Sequence, residues 1–379
     1  MPDIPQSRLR HLRILRPGPR EAEFFANDSK QSQSLIDLAS NDYLGLSRHP
    51  VVIQAAQESS SQEGVGAGGS RFVTGSRLIH QSLESALSDW LGREKVFLFP
   101  SGFQANIAAV MALANRQTPI IADRLCHYSL LVGIKAAGAK LHRFAHNSCE
   151  DLERCLQRCT KRDPKSKPLV VTESLFSMQG TSPDLKKMTC LCDQYGAKML
   201  VDEAHALGIM GPKGKGLSHA IEDPLVMISG TFGKAFGSGG AFLATNTLIG
   251  EQLLQTSGGF RYTTALAPPL ASAALAALSL IKENSHWGIE LLKQAKIWRI
   301  KLKENGWEIP NGEGPIIPIL MGSDETTLYQ QKQLERKGLL SAAIRPPTVP
   351  EGSSRLRLVI RKKLPDQTLE KVIKALKEK

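Results

Sequence analysis

From about residue 80 onward, apolar and polar positions follow two alternating rhythms. Residues 80–92 set Leu83, Leu87, Trp90 and Leu91 at helical spacing, so the pattern predicts a helix with one apolar face. Short apolar runs follow at 96–99, 119–123, 141–144, 168–173, 199–203, 225–229 and 241–245. Helical rhythm fills most of the gaps, at 103–115, 127–138, 149–160 and 184–196. Runs that are apolar at successive positions suit strands covered on both faces. The pattern therefore predicts an α/β fold with a large, mostly parallel seven-stranded sheet between helical layers. After about 246 the rhythm turns helical. Past the Pro/Gly-rich IPNGEGPIIP (309–318) a smaller α+β unit is expected, with strands near 315–320, 339–344 and 355–360 and helices near 324–337 and 366–378. The predicted organisation is an N-terminal segment over 1–50, a large domain over 51–285 and a small C-terminal domain over 286–379.

Other segments add less. RLRHLRILRPGPR (8–20) carries five arginines among leucines and reads as an exposed amphipathic arm, or as a lid over an anionic substrate. IDLASNDYLGL (36–46) reads as a short strand and a turn. The most apolar stretch, 265–281, is Ala-rich and broken by Pro268-Pro269, which argues for a buried helix and against a membrane span. The net charge of +12 invites a nucleic-acid partner, but its distribution does not. The last 29 residues supply +5 of it, nine Lys/Arg against four Asp/Glu, whereas 51–100 and 201–250 are each slightly negative. No nucleic-acid partner is expected. Six cysteines show no C-x-x-C pair and no zinc-ligand spacing, so they read as reduced thiols of a cytoplasmic protein without a metal site.

The chemistry starts at MLVDEAHALG (199–208), an apolar strand running into Asp-Glu-Ala-His. Such a strand could hold magnesium in a nucleotide-driven helicase, but that machine also needs a G-x-x-x-x-G-K-[ST] phosphate cradle. The two Gly-Lys pairs, Gly214-Lys215 and Gly233-Lys234, are followed by Gly216 and Ala235, and neither residue offers a hydroxyl. The glycines of GVGAGG (64–69) follow a helix and not a strand, so they make a weak dinucleotide signal.

A second reading fits better. Thirty-two residues after Asp202, Lys234 lies in SGTFGKAFGSGG (229–240), between two apolar runs that should both be covered. A bare ammonium there would cost several kcal/mol, roughly, and a Schiff base to a bound aldehyde removes that cost. The aspartate of the 199–203 strand, Asp202, could grip the ring nitrogen of pyridoxal phosphate. FPSGFQAN (99–106) follows a strand and opens a helix, so backbone N–H groups at 101–104 could hold a phosphate. His127 could lie on a planar ring, and Ser177 offers a hydroxyl.

Together SNDYLGL (40–46), GAGGSR (66–71), SGFQAN (101–106), ADRLCHYSLL (122–131), TESLFSM (172–178), VDEAHALG (201–208), TFGKAFG (231–237), AIRPPTVP (343–350) and SRLRL (354–358) resemble the α-oxoamine synthase family. These are fold-type I, aspartate aminotransferase-like pyridoxal phosphate enzymes. Within the family AIRPPTVP points to the biotin-biosynthesis branch. Ser174 stands where the family often has Gly, which leaves Ser177 unaffected.

The resemblance implies roles for individual residues. Lys234 would carry the cofactor and act as base. Asp202 would pair with the ring nitrogen, His205 with the phenolic oxygen, and His127 would stack on the ring. Ser101, Gly102, Phe103, Ser177 and Thr231 would bind cofactor oxygens, and Thr263 or Thr264 would reach the phosphate across a homodimer interface. Arg357 would fork the amino acid carboxylate with help from Asn41. Arg13, Arg16 and Thr348 would meet the acyl substrate. The implied reaction is decarboxylative condensation of L-alanine with a pimeloyl thioester, carried on CoA or on acyl carrier protein, with release of CO2 and thiol. The alternatives are a glycine C-acetyltransferase and, remotely, a nucleic-acid-binding protein using its basic arms.

Overall fold

The computed structural model describes residues 4–26 and 33–378. They fall into two compact units. One holds the described residues up to Gly45, Ser177–Thr181, and those from Ile289 on; the other holds Leu46–Phe176 and Ser182–Gly288.

The first unit begins with β1 (Leu15–Pro17), β2 (Glu23–Ala26) and β3 (Ser34–Asp37). The second unit runs α1 (Pro50–Glu63), α2 (Leu78–Leu91), β4 (Lys95–Phe99), α3 (Gly102–Leu113), β5 (Pro119–Asp123), α4 (Tyr128–Ala136), β6 (Lys140–Phe144) and α5 (Cys149–Arg162). It continues with β7 (Leu169–Glu173), α6 (Leu185–Gln194), β8 (Lys198–Asp202), β9 (Leu225–Thr231), β10 (Ala241–Thr245), α7 (Thr247–Thr256), α8 (Gly258–Arg261) and α9 (Pro268–Glu283). Then α10 (His286–Glu304) leads into β11 (Ile316–Gly322), α11 (Asp324–Arg336), β12 (Leu339–Leu340), β13 (Ala342–Ile344), β14 (Ser354–Val359) and α12 (Thr368–Lys377) of the first unit.

The second unit is built on a seven-stranded sheet of order β4-β10-β9-β8-β7-β5-β6, in which β10 alone runs antiparallel. The apolar runs became its strands because both faces are covered: β7 is buried at all five positions, as is β10. On α2, Leu83 and Leu87 are fully buried, as helical spacing predicts. Gly230 on β9 leaves no room for a side chain, since a Cβ there would lie 2.7 Å from Leu207 Cδ1 and would overlap the Phe242 ring. Parallel strands all end on one edge, and open α/β sheets bind ligands outside that edge. Phe99, Asp123, Glu173, Asp202 and Thr231 close β4, β5, β7, β8 and β9 there.

The first unit holds a four-stranded sheet, β1-β2-β3-β12, and a three-stranded one, β11-β14-β13. The arm expected over 8–20 is corrected here: part of it is β1, paired antiparallel with β2. Arg16 is an exposed residue of that strand, and Arg13 Nη1 lies 2.5 Å from Glu335 Oε1. Arg8 bridges Asp324 at 2.9 Å and also reaches Glu351. The arginines decorate a paired edge strand and its approach, and acidic side chains of the C-terminal half engage two of them.

Candidate active site

At the C-terminal edge of the seven-stranded sheet lies a cavity of about 210 Å³, lined among others by Gly102, Phe103, Asn106, His127, Glu173, Asp202, His205, Thr231 and Lys234. Each is delivered by a strand end, by the loop that follows it or by the first turns of the next helix.

Ser101 caps α3, its Oγ accepting from Gln104 N at 3.3 Å. The first N–H groups of a helix have no partner within it, so those of Gly102 and Phe103 present donors and the positive end of the helix dipole at the cavity wall. His127 caps α4: its Nδ1 accepts from Ser129 N at 3.3 Å, which turns the ring away from the helix axis. Asp202 is 5% exposed; its Oδ1 accepts from Ala204 N at 2.9 Å and its Oδ2 from Asn106 Nδ2 at 2.7 Å. Both oxygens are held, so the carboxylate has one orientation. Thr231 Oγ1 donates to Gly240 O at 3.0 Å and accepts from Gly233 N at 3.2 Å, which ties together the ends of the loop that carries Lys234.

Two buried carboxyls flank Asp202. Glu173 stands beside it in register on β7 and is 3% exposed. Burial pushes its carboxyl well above the usual range; Asp202 adds to this, while Lys234 and the His127 backbone N–H oppose it. Glu203, fully buried on the other side, is also raised by burial. Its carboxylate accepts from Ser174 Oγ at 2.6 Å, Leu217 N at 3.2 Å and Ser218 N at 2.6 Å. The departure from glycine at Ser174 therefore has a partner. Loss of hydration lowers the pKa of His127, with Asp202 opposing and Lys234 adding.

Of the residues singled out from sequence, Gly102, Phe103, His127, Asp202, His205, Thr231 and Lys234 meet at this cavity. Thr263 and Thr264 lie elsewhere in the same unit, where Thr264 forms a bridge with Ser70. Ser177 belongs to the other unit, with Arg13, Arg16, Asn41, Thr348 and Arg357. There Arg357 on β14 is 6% exposed and donates to Asn41 Oδ1. Its buried Nε has no hydrogen-bond partner, and burial lowers its pKa. Thr348 is exposed. Sequence reasoning missed Asn106 and Glu173. Asn106 lies in the mostly apolar FQANIAAVMAL and Glu173 ends an apolar run, and neither position alone marks a site.

Among the described residues no group of three or more His, Cys, Asp or Glu could hold a metal, and no helix is long and apolar enough to cross a membrane.

The family described as aminotransferase class I and II matches residues 33–376. The chain belongs to this family of fold-type I pyridoxal phosphate enzymes. It is 38% identical over 356 residues to an 8-amino-7-oxononanoate synthase of Saccharophagus degradans, covering 92% of this chain and 87% of the relative. A relative of the same description from Methylobacillus flagellatus is 37% identical, with 86% and 82% covered. Among solved structures, serine palmitoyltransferase from S. paucimobilis with a bound PLP–myriocin aldimine superposes with a TM-score of 0.91 at 27% identity, over 96% of this chain and 91% of that one. An 8-amino-7-oxononanoate synthase from Francisella tularensis shares the fold at a TM-score of 0.75 and 24% identity, with 90% and 96% covered. The protein is a pyridoxal phosphate-dependent acyltransferase. Its residues suit that cofactor: an amine, a fixed carboxylate, two imidazoles and a helix N-terminus share one cavity.

Proposed function

We propose that the enzyme condenses L-alanine with a pimeloyl thioester to give 8-amino-7-oxononanoate, CO2 and free thiol, in the cytoplasm, as a step of biotin biosynthesis. The observation that carries this reading is the convergence of Lys234, Asp202 and His127 on one cavity in a chain 38% identical to a synthase of that description. Pyridoxal phosphate, when bound, supplies an electron sink for negative charge at the carbon that loses a proton or a carboxylate.

The protein residues do the rest. Lys234 holds the cofactor and later takes the Cα proton of alanine, then returns one to the product. A positioned base of this kind contributes about 10²–10⁴-fold. Asp202, locked by Ala204 and Asn106, would pair with the ring nitrogen of the cofactor. His127 would cover the cofactor ring and His205 would hold its phenolic oxygen. The N–H groups of Gly102 and Phe103, with Ser101, Thr231 and Ser177, bind the remaining cofactor oxygens. Arg357 forks the alanine carboxylate with Asn41 beside it, and its unpartnered Nε is the donor such a fork needs. Arg13, Arg16 and Thr348 serve the acyl substrate.

A second copy of the chain completes the site through Thr263 or Thr264. Support comes from an exposed apolar set: Val65, Phe72 and Val73 in the connection from α1 to α2, which bridges to Thr264 through Ser70, Leu78 at the start of α2, and Tyr262 beside Thr263, with Val73 77% and Tyr262 81% exposed. The basic helix α12 would suit an acidic acyl carrier protein if the acyl group arrives on one, and pimeloyl-CoA is the other source.

Thiol release separates this reading from a glycine C-acetyltransferase. L-Alanine with pimeloyl-CoA should turn over faster than glycine with acetyl-CoA. The opposite ranking overturns the substrate assignment.

A further inference from the structure

Asn106 lines the cavity and Ser129 lies beside it, 3% and 0% exposed. The Asn106 amide nitrogen sits 2.7 Å from Asp202 Oδ2 and 2.9 Å from Ser129 Oγ. A side-chain amide has two N–H donors, and these two acceptors use both. The reverse orientation would aim the amide oxygen at the Asp202 carboxylate, so the acceptors fix which way the amide faces. Its Oδ1 is buried without a partner. Ser129 Oγ, already accepting from Asn106, lies 2.7 Å from His127 Nδ1, and Ser129 N also points at Nδ1, at 3.3 Å. A hydroxyl that accepts from an amide has its own proton left to give, and Nδ1 is the atom in reach.

We propose that Asn106 and Ser129 form a hydrogen-bond relay that fixes His127 as the neutral tautomer with its proton on Nε2 and couples that choice to Asp202. Nδ1 accepts from both the Ser129 hydroxyl and the Ser129 backbone N–H, so it carries no proton. The relay is directional: Asn106 donates to Asp202 and to Ser129, and Ser129 donates to His127. The ring that faces the cofactor thus keeps a donor at Nε2 and bears no charge that would oppose a protonated pyridine. Asn106 and Ser129 are positioning residues, since they act through Asp202 and His127. The inference rests on the cofactor reading for its purpose but not for its geometry.

The test is nitrogen NMR of the holoenzyme with ¹⁵N-labelled histidine, together with the pH course of its visible absorption band. Wild type should show His127 as the Nε2–H form. Ser129→Ala removes the hydroxyl donor and should change the ratio of the two tautomers by at least about fivefold, the factor one ordinary net hydrogen bond supplies. It should also bring a new pH-dependent transition into the absorption band, because an imidazole freed from the relay can take up a second proton. Ser129→Thr restores the hydroxyl and should restore the wild-type ratio. If Ser129→Ala does not fold, Asn106→Ala reads the same relay, because the serine proton is then free to turn away. An unchanged tautomer ratio in a folded variant overturns the relay even if its melting temperature falls. Protein that takes up no pyridoxal phosphate would overturn the cofactor reading instead, while the His127 tautomer remains readable in it.

Discussion

Glu173 gives the sharpest test of the site's electrostatics. The perturbation is Glu173→Gln, which keeps the shape of a protonated carboxyl and cannot ionise. Glu173 is 3% exposed and stands in register with Asp202, so burial and that neighbour hold its pKa well above the usual carboxylate range. In the unfolded chain a glutamate loses its proton near pH 4.3, roughly. Above that pH the native state binds one more proton than the unfolded state at this position, so wild-type stability falls as pH rises until the native group ionises. The slope for one proton is about 1.4 kcal/mol per pH unit, for as long as the native group keeps its proton. The glutamine variant lacks this slope. Urea unfolding of both proteins at several pH values, with equal m-values, should therefore show the variant gaining on wild type as pH rises. A difference that stays flat, or that moves in favour of wild type, refutes the reasoning that a proton resides on the Glu173–Asp202 pair.

Three further outcomes are expected. Lys234→Ala should bind pyridoxal phosphate without a borohydride-fixable mass adduct and lose at least about 10²-fold in turnover; substantial activity would remove Lys234 from the chemistry. Arg357→Lys keeps a charge but not the fork, so steady-state kinetics should show the KM for the amino acid rising about tenfold or more, with a smaller change in kcat. Gly230→Ala forces a methyl against Leu207 and the Phe242 ring, and chemical denaturation should show a loss of about 1–3 kcal/mol or more.

The large sheet was legible because its strands are covered on both faces, so each appears as an apolar run. The strand-end position of Asp202 and the loop positions of His127 and Lys234 followed from that alternation. The N-terminal hairpin was not legible. Strands of three and four residues are too short to show a period, and the sheet they join closes onto β12, some 300 residues away in sequence. The Arg-Leu alternation of 8–20 looked like an amphipathic arm for that reason. Asn106 and Glu173 stayed hidden for a different reason. An asparagine in a helix and a glutamate at a strand end have ordinary surface explanations, and only the register of β7 with β8 and the approach of α3 to Asp202 give them partners. The missing pattern at 174 became intelligible only once Glu203 was seen against Ser174.

β10 runs against its neighbours, so the chain leaves the sheet at the end of β9 and re-enters it at once beside the strand it left. Residues 232–240 are thereby a short closed loop, cinched by Phe232 N to Gly240 O at 2.9 Å and by Thr231 Oγ1 to the same carbonyl. These two bonds hold the base of the loop beneath Lys234. If Lys234 carries the cofactor and then moves a proton, as proposed, both movements fall to its own four side-chain torsions, above a loop closed at its base.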